Sequence, residues 1–143
     1  MEARRLAVSA AMGLILGLAA CSGRSSSTQA PAEGAAASAV DNGANLYSQN
    51  CLPCHRDDGK GVANVYPSLV QSPVVNGDPV ELAQWVLSGR RPASMPSGRY
   101  PTQMLQFGWM KDQDAAAVLS YIRSHFGNSA PPVDAAAAAA ARP

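Results

Sequence analysis

Apolar and polar positions recur along the chain with a helical rather than a sheet period. The strongest pattern lies in Asp112–Phe126, where Val118, Leu119, Tyr121 and Ile122 share one face. Asp112 and Asp114 put negative charge in its first turn, Arg123 and His125 put basic groups in its last, and Gly127-Asn128 ends it. A second pattern, Pro79–Leu87, stops at Gly89. A third runs up to residue 50. Asp41 or Asn42 is placed to cap it, Leu46 lies on its apolar side, and Gly43 and Tyr47 share a face one turn apart. A glycine there leaves room for a second helix to approach closely, and 112–126 is the candidate. No run alternates as a strand does, so the expectation is all-α, with three to five short helices and long loops.

The two ends break this pattern. A basic start with Arg4 and Arg5 leads into an apolar run of 15 residues, Leu6–Ala20, short of the roughly 20 that span a bilayer. That reads as an export signal over 1–20. Its end, Leu18-Ala19-Ala20-Cys21, resembles a bacterial lipoprotein signal, in which the chain is cut before the cysteine and the thiol takes a diacylglycerol. The alternative is an ordinary signal with a chance cysteine. Residues 21–39 are mostly Ser, Ala, Gly and Thr, too poor in large apolar groups to offset their ordering entropy, and read as a flexible tether carrying a lipidated Cys21. Residues 129–143 form a low-complexity, alanine-rich tail whose seven-alanine run is too short to be a stable helix alone. Neither end is expected to contribute to the core.

Composition narrows the picture. In 143 residues there are 15% charged side chains, with 12 glycines and 11 prolines, which favours loops. Lys+Arg number 11 against 10 Asp+Glu, and loss of 1–20 leaves 9 of each, so neither nucleic acid nor a partner chosen by one dominant charge is indicated. The remaining domain, 40–128, is about 89 residues, small enough to need a staple beyond its hydrophobic core.

The staple is legible in Cys51-Leu52-Pro53-Cys54-His55. C-x-x-C-H is the attachment signature of c-type haem: two thiols add across the haem vinyl groups, and the adjacent histidine lies beneath the iron. A redox-active C-x-x-C calls for a βαβ context that is missing here, and a zinc site calls for four ligands. Three methionines follow at plausible distance for a second axial ligand. Met95 carries a following proline; Met104 stands at the better spacing to Phe107, Trp109 and the final helix; Met110 reads as core filler. His125 is a remote further candidate. Trp85, Trp109, Tyr100 and Phe107 read as core or pocket wall. Arg90, Arg91 and Arg99 flank Met95 as a solvated loop or as a partner or propionate contact.

Over 40–128 the chain resembles a class I cytochrome c, like the single-haem domains found with bacterial membrane-bound dehydrogenases. The resemblance is carried by Gly43-x-x-x-Tyr47, the haem motif, Asp58-Gly59-Lys60-Gly61, Tyr66-Pro67-Ser68-Leu69, Leu87-Ser88-Gly89 and the segment Met104–Asn128. It implies one covalent haem c held by Cys51 and Cys54, with His55 as proximal and Met104 as distal iron ligand. It implies too that the carbonyl of Pro67 receives the proximal histidine's N–H, a bond that orients the ring. Leu105 stands where the family usually has proline after its methionine.

Two functions follow from these expectations. The first is a one-electron carrier, not an enzyme, exported and lipid-anchored to a bacterial membrane, with a dehydrogenase as donor and an oxidase or cytochrome as acceptor. The second is an open-site haem protein for peroxide or gas binding. That reading needs a vacant distal position and a distal base, and no histidine is placed for one.

Overall fold

The computed structural model describes residues 33–95 and 98–143. The export signal, Cys21 and most of the expected tether lie outside the described residues. Among them there are six helices: α1 (Glu33–Asn50), α2 (Leu52–His55), α3 (Pro73–Asn76), α4 (Pro79–Ser88), α5 (Asp112–Ser124) and α6 (Ala135–Ala140). No strand forms among the described residues beyond an isolated bridge between Val62 and Tyr66. The all-α expectation stands, with one helix more than foreseen.

The fold is organised by the crossing of α1 on α5. A Cβ at Gly43 would stand 2.4 Å from the Ala117 carbonyl oxygen and 2.8 Å from Tyr121 Cβ, so only glycine admits this approach. One turn on, the buried ring of Tyr47 packs against Tyr121 and Phe126, with centroids 5.5 and 5.1 Å away. Asp41 and Asn42 do not start this helix. Among the described residues it reaches back to Glu33, so 33–39, expected as part of the flexible tether, are helical: the alanines at 35–37 and 39 have the highest intrinsic helix propensity. Asn42 instead reaches across to Asp114 on α5.

α4 follows its sequence signals closely. The Asp78 carboxylate accepts from the N–H groups of Val80 and Glu81, Pro79 opens the first turn, and Gly89 closes the last in the left-handed region at φ 72°. Its buried face is Leu82, Ala83, Val86 and Leu87, set against Val118, Leu119 and Ile122 of α5.

Two polar side chains hold the long loops to this frame. Arg123, in the last turn of α5 as the sequence indicates, is buried and donates to the carbonyls of Val75, Gly77 and Pro131. Asn128 donates to the carbonyls of Leu69 and Ile122 and accepts from Ser72 N–H and the Asn76 amide. Each supplies partners to loop backbone that no helix can satisfy.

The C-terminal tail corrects a further expectation. Val133, Ala138 and Ala141 are buried in the same core, and α6 packs on α4 and α5. Asp134 caps α6 on Ala137 N–H, and Ser120 Oγ bonds both the N–H and the carbonyl of Val133. Six alanines make a poor isolated helix, but their small side chains let it lie close, and packing supplies what length does not.

Gly43→Ala drives a methyl into the Ala117 carbonyl and is expected to destabilise the haem-loaded protein by about 1–3 kcal/mol. Chemical denaturation measures it, and an unchanged midpoint contradicts the crossing geometry.

Candidate haem site

Cys51 closes the last turn of α1 through its N–H on the Tyr47 carbonyl, 2.8 Å away. Its own carbonyl accepts from Cys54 N–H (3.1 Å) and His55 N–H (2.9 Å), which winds residues 51–55 into one turn. Positions three and four residues apart share a helix face, so Cys51, Cys54 and His55 are presented together. Pro53 costs this turn nothing, since its missing N–H falls among the unpaired donors of a first turn. The turn ends at Arg56, in the left-handed region at φ 67°. The Tyr47 hydroxyl donates to the Arg56 carbonyl at 2.6 Å. The tyrosine at the helix crossing thus also holds the end of the cysteine–histidine turn. Burial raises its phenol pKa well above the usual value, keeping the proton that this bond needs.

His55 is buried, and its Nδ1 lies 3.0 Å from the Pro67 carbonyl oxygen. A carbonyl only accepts, so Nδ1 carries the proton and Nε2 keeps its lone pair. Burial lowers the pKa of the ring, with the Pro67 bond opposing, and so favours the neutral imidazole that a metal requires. Gly61 makes the loop between them tight enough: a Cβ there would stand 2.4 Å from the Tyr66 oxygen and 2.6 Å from the Pro67 oxygen. Its N–H also donates to the His55 carbonyl at 3.0 Å.

These groups open onto a cavity of about 960 Å³ with mostly apolar walls, drawn from α4, α5 and the loops before and after α4. That volume is at the upper end of cofactor pockets, roughly 300–1,000 Å³. Cys51, Cys54, His55, Pro67 and Met104 all line it. So do Met95 and Met110, the other two methionines considered, although Met110 is almost wholly buried in the core. Trp85, Tyr100 and Phe107 form wall as expected, and Arg91 and Arg99 reach it while lying over the Trp85 and Tyr100 rings. Trp109 does neither: it is 69% exposed, because the turn that buries Phe107 and Met110 points the two residues between them outward. His125 is off the wall, stacked on Tyr121 with Nδ1 2.7 Å from the Tyr121 carbonyl oxygen.

The chemistry of this donor set fits a covalent haem better than the competing readings. Burial and the neighbouring Cys54 push the Cys51 thiol up to about 11, the reverse of the lowered value a redox-active cysteine needs. Among the described residues no cluster of three or more His, Cys, Asp or Glu is arranged to hold a metal ion by itself. An imidazole with a fixed tautomer, two adjacent thiols and an apolar chamber remain. They suit a flat apolar macrocycle, with Nε2 free to offer its lone pair to an iron.

Residues 40–126 match the cytochrome c family, and the chain belongs to it; its cofactor is therefore a covalently bound haem c. It is 37% identical over 93 residues to the cytochrome c subunit of a quinone alcohol dehydrogenase from Gluconobacter oxydans (strain 621H), covering 62% of this chain and 19% of that one. It is 33% identical over 91 residues to the gluconate 2-dehydrogenase cytochrome c subunit of Pantoea cypripedii, covering 62% of this chain and 21% of that one. It is 33% identical over 101 residues to the fructose dehydrogenase cytochrome subunit of Gluconobacter japonicus, covering 65% and 20%. The chain thus spans about a fifth of the length of these relatives.

Sequence reasoning placed Tyr47 on the right helix face but missed its hydroxyl's grip on Arg56, for which residue type and spacing carry no signal. Tyr47→Phe keeps the ring packing and leaves the Arg56 carbonyl without this donor, for an expected loss of about 1 kcal/mol. Thermal unfolding of the haem-loaded variant reads it, and an unchanged stability shows the hydroxyl to be idle.

Proposed function

We propose that this protein is a one-electron carrier of a bacterial respiratory chain, exported, tethered to a membrane through a lipidated Cys21, and reduced by a dehydrogenase. The observation that supports it most is the pairing of His55, its Nδ1 proton committed to Pro67, with the partly buried thioether of Met104 on the walls of one apolar cavity. In this reading Cys51 and Cys54 would hold the haem through thioether bonds, and His55 Nε2 and Met104 Sδ would be the iron's protein ligands. The bound haem supplies a one-electron iron couple, and no bond of a substrate is made or broken.

The protein's own part is to hold that couple still. Pro67 fixes the imidazole plane and increases its basicity, the apolar walls exclude water, and a thioether ligand favours the ferrous state and raises the potential. Met104 is preferred to Met95 and Met110 for the way its loop is held. Three residues after it, Phe107 is buried with its N–H on the Val86 carbonyl at 2.9 Å, whereas Met110 lies within the core. The dehydrogenase donor is suggested by the names of the relatives. The acceptor, an oxidase or another cytochrome, is inferred from the carrier role itself.

The oxidised visible spectrum of the haem-loaded protein tests the ligand set. Wild type is expected to show the weak sulfur-to-iron charge-transfer band at the red edge. Met104→Ala is expected to lose it, with a fall in potential on the order of 0.2 V, inside the roughly 0.8 V that axial ligation commands. A band that persists in the variant assigns another methionine, and a wild type without one favours an open-site haem. The tether has its own test: a labelled fatty acid fed to cells should be incorporated into the wild type and not into Cys21→Ser, and label in the variant, or none in the wild type, contradicts lipidation there.

A further inference from the structure

Between Met104 and Lys111 the rest of the domain holds the loop at its middle, through buried Phe107 and Met110 and the Phe107 N–H on the Val86 carbonyl. Leu105 and Trp109 are 72% and 69% exposed, and only Phe107 and Met110 are buried. Its backbone, however, is gripped from outside the segment that matches the cytochrome c family, which ends at residue 126. Arg142, next to last in the chain, donates from Nη1 to the Gly108 carbonyl at 2.8 Å and from Nη2 to the Met110 carbonyl. Its Nε donates to Asp112 Oδ1 at 2.7 Å. One guanidinium therefore joins the turn after the methionine to the first turn of α5, a use of its rigid fork of donors that lysine cannot copy.

The arm that delivers Arg142 is itself fastened. Arg123 Nε donates to the Pro131 carbonyl at 2.7 Å, Ala130 N–H donates to the Arg123 carbonyl at 3.1 Å, and Ser120 clips Val133. Ala138 and Ala141 are buried against the domain. This low-complexity segment buries only Val133 and two alanines, yet it is bonded along its length and reaches the methionine-bearing loop through Arg142. We propose that residues 129–143 are a positioning element for the methionine-bearing loop, with Arg142 as the latch; this rests on the reading of Met104 as iron ligand.

A soft thioether competes poorly with an imidazole nitrogen for ferric iron. What keeps it bound is the loop's resistance to opening, and the latch adds to that resistance. Imidazole is thus a direct probe: it enters only when the loop lets Met104 go, so its affinity reports the opening equilibrium.

The experiment titrates imidazole into the oxidised, haem-loaded full chain, following the charge-transfer band, for wild type, Arg142→Gln, Arg142→Lys and Met104→Ala, with thermal unfolding of each. Arg142→Gln is expected to keep the band but bind imidazole about tenfold more tightly, as the loss of charge-assisted bonds from the closed loop alone would give. Arg142→Lys, with charge but no fork, should fall between. Equal imidazole affinity in Arg142→Gln and wild type, even with a lowered unfolding midpoint, overturns the latch and leaves a merely structural arginine. A band that survives Met104→Ala sinks the ligand assignment and the latch with it, so the two failures are distinguishable.

Discussion

Everything in this domain hangs on how closely α1 lies against α5. The absent side chain of Gly43 lets the two backbones meet, and Tyr47, fixed at that meeting, carries the constraint to the haem motif through its bond to the Arg56 carbonyl. The turn 51–55 is thereby held at one end by α1 and at the other by a tyrosine buried between two helices. Pro67 then fixes the remaining freedom, the rotation of the His55 ring. A short chain of contacts thus runs from one glycine to the orientation of an imidazole.

A domain with so few regular elements faces a second problem, which is loop backbone left without partners. It is met with side chains rather than strands. Arg123, Asn128 and Arg142 each sit where several carbonyls converge, and each donates to two or more of them. No buried side-chain nitrogen or oxygen among the described residues is left without a partner. Such hubs are stiff, because moving one loop unpairs groups on another. For the carrier role proposed above, geometry that does not change with oxidation state would keep reorganisation low.

Local signals in the sequence were legible and distant ones were not. The motif Cys51-x-x-Cys54-His55, the stop at Gly89 and the face of α5 are written in neighbouring residues, and the structure places them as read. The approach at Gly43 was legible too, because a glycine one turn from a tyrosine on a helix face has few other uses. The tail was misjudged because its burial rests on alanines, which leave no apolar pattern, and on an arginine whose partners are carbonyls far away in sequence. The sequence placed Arg123 in the last turn of its helix but carried no sign of the distant carbonyls it joins. Trp109 misled in the opposite direction, since an aromatic in a loop follows the turn's geometry before its own hydrophobicity. The ligand position is the hardest to read: three methionines reach one cavity, and only the way each loop is held separates them.

The central claim is that His55 and Met104 close one iron between them. Proton NMR of the reduced, diamagnetic protein, with methionine methyl groups isotopically labelled, tests it most directly. A methyl group bound over the haem face is shifted far upfield by the ring current, well clear of every other methionine. The account predicts one such signal, absent in Met104→Leu and retained in Met95→Leu. No upfield methyl signal, or one that disappears with Met95 instead, would contradict it.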